Sequence, residues 1–190
     1  MPLCTPIEFQ LDLYRYWLGK RGDRAMPARK DIDPAEIPAL LPYLALVDKV
    51  GDKFRYRLVG SAIVREAGID PTGSFAGSYV SFDPTSVAAF QTMGNRIVWT
   101  GRPHLADGQY EMKRGFVHNF LVLLLPLSND GTNANMVLAL RLAHFCANLN
   151  ASKGWLKGVP LRLSSLNEVR DVADLERQCF DWERSCQKFE

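Results

Sequence analysis

Residues Phe54 to Gly73, FRYRLVGSAIVREAGIDPTG, set two arginines into an alternating run and follow it with a glycine and a helical pattern. In the first six residues one face carries Phe54, Tyr56 and Leu58 while the other carries Arg55, Arg57 and Val59, the period of two expected of a strand with one buried face. Gly60 punctuates that strand. Ser61 then stands where a cap would, Ile63, Val64 and Ala67 keep helical spacing, and Gly68 closes the helix. The stretch predicts a half-buried strand, a short helix and a turn, and leaves open what the two cationic side chains are for.

On the N-terminal side, Gly51-Asp52 supplies a hairpin turn back to a strand at Leu44 to Val47. Before that, Asp33-Pro34-Ala35-Glu36 caps a helix that Pro38 and Pro42 keep short. Further upstream, Thr5-Pro6-Ile7-Glu8 reads as a capping box ahead of Ile7, Leu11, Tyr14 and Leu18, with Phe9, Leu13 and Trp17 as a second apolar row. A helix is expected from about Pro6 to Leu18, stopping at Gly19. On the C-terminal side, Val87, Phe90, Met93 and Ile97 predict a helix over residues 85 to 99 that ends near Gly101. Pro103 to Ala106 and Gly108 suit a short strand and turn. Phe116 to Leu127 and Asn135 to Leu142 are long strand candidates joined through SNDGTN, whose Asp130-Gly131 is a hairpin signal.

The chain has 190 residues, 47% of them hydrophobic and 23% charged, with a formal net charge of +2. Such a chain can bury a real core. The charge is too small to imply nucleic acid, and the basic cluster Lys20, Arg21, Arg24, Arg29 and Lys30 lacks interleaved aromatics. It reads as a solvated linker. The first residues, MPLCTPIEF, show no basic stretch leading into an apolar run, and Phe120 to Leu125 is far short of a membrane span. A cytoplasmic location with no membrane contact is expected. Cysteines 4, 146, 179 and 186 form no CxxC and no zinc-like pairing with His104, His118 and His144, so reduced structural thiols and no metal are expected.

Three motifs, DIDPAEIPALLPYLALVD, FRYRLVGSAIVREAG and LLLPLSNDG, resemble in order and spacing a bacterial PAS family of short stand-alone proteins first described as a domain of unknown function. The resemblance covers about Arg24 to Ala143, and departs from the family pattern at Ile69-Asp70-Pro71, where a more polar turn is usual. It implies an α+β fold: a five-stranded antiparallel sheet with short helices on one face, plus flanking N- and C-terminal helices. The expected organisation is an amphipathic helix over residues 1–23, a PAS-like domain over 24–145 and an extension over 146–190 that ends in an amphipathic helix.

In that fold Tyr56 and Leu58 would point into the core, and a ligand pocket between sheet and helices would be lined by Tyr56, Leu58, Ile63, Phe75, Phe82, Phe90, Ile97 and Trp99. The same residues would equally serve as a filled core. So apolar a wall suits an apolar or aromatic ligand better than a small carboxylate. Arg55 and Arg57 would lie on the opposite face, either protecting an exposed sheet surface or binding acidic groups of a flanking helix or partner.

The resemblance implies a sensor or interaction module. No Asn-Cys-Arg type motif offers a flavin its cysteine, and residues 85 to 99 contain no histidine for haem. His104, just after that helix, keeps a haem-binding sensor as a minor alternative; otherwise no cofactor and a colourless protein are expected. No nucleophile elbow, P-loop, HExxH or dinucleotide fingerprint occurs, so no enzymatic activity is expected. Two readings stand: a single-domain bacterial signalling sensor that binds a small ligand and acts through protein contacts, or a ligand-free adaptor for signalling proteins.

Two further expectations come from patterning. In Val117 to Leu125 both faces are largely apolar, which predicts a sheet covered on both sides. Near the end of the chain Val172, Leu175, Cys179, Trp182, Cys186 and Phe189 recur at three and four residues, a helix seam too short to stand alone. It either folds back on this protein's own sheet or joins the N-terminal helix in a homodimer, with Val172, Leu175 and Trp182 as contacts.

Overall fold

The computed structural model describes residues 6–76, 84–111, 117–144 and 161–186. The chain begins with α1 (Pro6–Arg21), then descends through single 3-10 turns, one of them at Pro34–Glu36 where the Asp33 carboxylate accepts from Ala35 N. A hairpin follows, β1 (Leu44–Val50) and β2 (Lys53–Val59), turning at Gly51 with its φ of +58°. Next come α2 (Ser61–Ala67), α3 (Pro84–Thr100) and the strands β3 (His104–Glu111), β4 (Val117–Leu127) and β5 (Met136–His144). Two elements close the order: β6 (Leu161–Glu168) and α4 (Val172–Cys186).

The strands form one antiparallel sheet in the order β2-β1-β5-β4-β3-β6. It has six strands rather than the expected five. The additional strand, β6, pairs with β3 from Tyr110↔Leu161 to His104↔Glu168, and its start is tied to α3 where Leu161 N donates to Ser86 Oγ at 2.9 Å. At the opposite margin the backbone of residues 73–76 covers β2: Tyr56 N donates to Ser74 O, and Ala76 N to Phe54 O. The β2 edge is thereby not left as a bare ladder, which works against edge pairing there.

Both faces of the sheet are covered. One carries Leu121, Leu123, Leu125 and Leu127 of β4 with Leu138, Leu140 and Leu142 of β5, packed against Leu13, Tyr14 and Trp17 of α1 and Leu175, Cys179 and Trp182 of α4. Each fully buried leucine there contributes about 2 kcal/mol by its removal from water. Trp17 also donates its indole N–H to Pro126 O at 2.9 Å, which satisfies its one polar atom. The other face carries Phe120, Val122 and Leu124, packed with Met93 and Ile97 of α3. This is why β4 shows no polar alternation from Phe120 to Leu127: neither of its sides meets water there.

Several local expectations change. α1 continues past Gly19 to Arg21, because the chain turns at Gly22, whose φ is +56°. Gly60, not Ser61, is the N-cap residue of α2; Ser61 is its first helical residue, and Gly68 closes it with φ of +75°. Gly108 is no turn residue but lies inside β3, where a Cβ would stand 2.5 Å from the Phe120 ring.

Candidate functional site

The sheet face opposite α1 and α4 is built from side chains that alternate inward. β1 presents Ala45 and Val47, β5 presents Val137 and Ala139, and β4 presents Phe120, Val122 and Leu124. Facing them are Ile63 and Ala67 of α2 and Phe90 and Met93 of α3. Gly94 lets α3 lie close to β2, since a Cβ there would stand 2.6 Å from the Phe54 ring. Between these layers is an apolar cavity of about 110 Å³. Tyr110 of β3 and Leu161 of β6 complete its wall.

One charged side chain belongs to this wall. Arg141 follows Val137 and Ala139 at the same phase of β5 and pairs across the ladder with Val122, so it stands on the cavity face. Its side chain is only 10% exposed, and its Nη1 lies 2.7 Å from Oε2 of Glu66 on α2, whose side chain is 12% exposed. The guanidinium also lies over the Tyr110 ring, 5.4 Å from its centroid. Burial works against the Arg141 charge, but Tyr110 and the Glu66 carboxylate outweigh it and hold the guanidinium protonated above its ordinary range. Burial pushes the Tyr110 phenol up, with Arg141 offsetting part of the effect, so at neutral pH the hydroxyl is neutral. Among the described residues, Nε and Nη2 of Arg141 are buried without a hydrogen-bond partner.

Of the pocket residues expected from sequence, Tyr56, Ile63 and Phe90 lie on the cavity wall. Ile97 is fully buried in the same apolar cluster but does not reach the cavity. Phe75 is half-buried at the sheet margin, with Lys53 Nζ 5.9 Å from its ring centroid. Phe82 lies outside the described residues, as do Cys4, Cys146 and Phe189.

Two expectations are corrected. Leu58 is 40% exposed, because the β1–β2 register slips between Leu46 and Val47, leaving Arg57 as an extra residue, so that Val59 takes the inward place. Trp99 is 79% exposed, since it follows Ile97 by two residues and α3 turns it to the far side.

The opening arginines find their partner on the neighbouring strand. Arg55 Nη2 donates to Asp48 Oδ2 at 2.9 Å, and Arg57 Nε lies 3.9 Å from the same oxygen. Of the seam on α4, Leu175 and Trp182 are buried within this chain and Val172 is half-buried. His104 is buried at the start of β3, with Nδ1 2.9 Å from Arg102 O, and is not on the cavity wall. Among the described residues no three His, Cys, Asp or Glu side chains gather as metal ligands, and no helix is long and apolar enough to cross a membrane.

Arg141 and Glu66 escaped the sequence reading, although a signal existed. In MVLALRLAH a single arginine interrupts a strand that is apolar on both faces, and such a residue must be paired or functional.

The sequence profile of a family described as a PAS domain matches residues 8–141. That match takes in most of α1 and the cavity wall apart from Leu161, and ends at Arg141. Comparison with curated proteins finds no match.

Proposed function

We propose that this chain, which belongs to the PAS domain family, is a sensor of bacterial signalling that binds a small apolar or aromatic molecule and acts through protein contacts. PAS domains are in general sensory or interaction modules, and the present one adds a place for a ligand. The observation that carries the reading is the cavity of about 110 Å³ between the sheet and α2 and α3, walled almost wholly by apolar side chains. Concave, largely apolar sites with a few converging polar groups are where small molecules bind. For scale, an engineered apolar cavity of about 150 Å³ accepts benzene.

An adaptor role without ligand is the second reading, favoured by Trp99, which is held open to solvent with the Arg96 guanidinium 5.8 Å from its ring centroid. Tryptophan and arginine together are common anchors of protein contacts.

Native mass spectrometry of freshly purified protein separates the readings. The sensor reading expects a small molecule that leaves on denaturation, and expects Ala139→Leu, which fills the cavity from β5, to abolish its retention while the protein stays folded. Neither co-purified ligand nor binding of any apolar probe by the wild type would leave the adaptor.

A further inference from the structure

The cavity wall is apolar but for the phenols of Tyr56 and Tyr110 and one charged group, the Arg141 guanidinium, and that guanidinium is only partly used. Nη1 of Arg141 is ion-paired with Glu66 Oε2 at 2.7 Å. Nε and Nη2 are buried and, among the described residues, have no hydrogen-bond partner. These two nitrogens form the side edge of the guanidinium, from which two N–H groups project in parallel. Leaving such donors buried and unmet is costly, and the group that meets both at once is a carboxylate, whose two oxygens match the spacing of the fork.

We propose that the ligand of this cavity is an apolar monocarboxylate, with its carboxylate on the Nε/Nη2 edge of Arg141 and its hydrocarbon body against Phe120, Val122 and Met93. The inference rests on reading the cavity as a ligand site, and it replaces the expectation that so apolar a wall disfavours a carboxylate. The cavity, about 110 Å³, limits the body to about one aromatic ring or a short aliphatic chain.

Glu66 makes the prediction sharper. Its carboxylate holds Arg141 from the α2 side, so an incoming carboxylate shares one cation with it, and two negative charges so close oppose one another. Neutralising Glu66 therefore strengthens the ligand, whereas a group that served only to hold Arg141 in place would weaken it on removal. Occupancy of the cavity is in this way felt at α2, through competition for Arg141.

The test is a titration of the full chain, followed by ligand-detected NMR, with benzoate, hexanoate, their amides benzamide and hexanamide, and toluene. A carboxylate is expected to bind at least tenfold more tightly than its amide, Arg141→Met to lose that preference, and Glu66→Gln to tighten the carboxylate several-fold. Circular dichroism establishes that each variant is folded. Should Arg141→Met not fold, the carboxylate-to-amide ratio in the wild type and its rise in Glu66→Gln decide the matter. Toluene and the amides binding as well as the carboxylates would overturn the proposal while leaving the cavity a ligand site. Binding of none of the five would overturn both.

Discussion

His104 begins β3 with a buried imidazole whose Nδ1–H donates to Arg102 O. Burial lowers its pKa from the ordinary 6.5, Arg96 acts in the same direction, and the Arg102 carbonyl and Glu168 partly offset them. The unfolded chain therefore takes up the proton first. The stability this group contributes is complete above about pH 6.5 and is lost as the pH falls toward the depressed value of the folded state. Melting temperature should decline between pH 7 and pH 5, and His104→Gln should flatten that decline. A slope unchanged in the variant would assign it to other groups. Cys179 shows the same physics with the opposite sign, its thiol pushed up to about 12 by burial with Glu183 and Glu176 adding to the effect, so it is a packing residue in the α4 seam. At this scale sequence was a partial guide. Residue type alone marked His104 as notable, but only the fold shows it donating to a backbone carbonyl instead of facing the cavity, and only the fold pairs Arg141 with Glu66, 75 positions apart in the chain.

At the scale of elements, the strands and helices that announce themselves by period are the ones the sequence placed. β1, β2, β4 and β5 alternate or run continuously apolar, and α3 and α4 repeat at three and four residues. Two misreadings share one physical cause, a β-bulge that changes the phase of a strand. In β2 the slip opposite Leu46 and Val47 moves the inward series from Phe54 and Tyr56 to Val59, so Leu58 faces out. In β6 the slip opposite Asp107 and Gly108 leaves Ser164 over, so the apolar series runs Leu161, Leu163, Leu166 and no period of two survives to be read. Gly108 suits that second bulge because a Cβ there would collide with the Arg162 carbonyl oxygen of β6.

α4, by contrast, declares its seam, and the structure adds how it starts. Asp171 Oδ1 accepts from Asp174 N at 2.8 Å, and the Asp174 carboxylate accepts in turn from Arg170 N and from the side chains of Arg170, Arg177 and Gln178. These donors, Arg170 first, hold the Asp174 carboxyl well below the usual carboxylate range, so its contribution is present above pH 4 or so and lost as the pH falls through the lowered value. Asp174→Ala should cost about 2 kcal/mol, since it removes charged hydrogen bonds at a helix N-terminus, while the two arginines, being exposed, return to water. Chemical denaturation of wild type and variant at pH 7 measures the difference, and a loss below about 0.5 kcal/mol would mean that these contacts are only surface pairs.

The whole molecule is three layers: α1 and α4, the sheet, then α2 and α3 over the cavity. Its two cores differ in kind. The α1–α4 side is filled by leucines and by Trp17 and Trp182, whereas the α2–α3 side holds the cavity and the Arg141–Glu66 pair. On the proposed sensor reading, the cavity side is the face a ligand would alter and the α1–α4 side the one that holds the fold. The division bears on how copies of the chain meet. The seam that could have made a homodimer is occupied within the chain, where Leu175, Cys179, Trp182 and Cys186 are buried against α1 and the sheet, while Phe180 on the outer side of α4 is 48% exposed. Trp182→Glu forces a charge into that packed layer, at a cost of several kcal/mol; Phe180→Glu puts the same charge on the outer surface at almost none. A chain that uses the seam only for itself should lose thermal stability in Trp182→Glu with no change of mass in light scattering, and remain unaffected by Phe180→Glu. A dimer formed through the outer face of α4 would reverse the pattern, with Phe180→Glu giving a folded species of half the mass and an unchanged core. A Trp182→Glu protein that kept both wild-type mass and melting temperature would contradict the buried seam itself, and with it the assignment of α4 as the cover of the sheet.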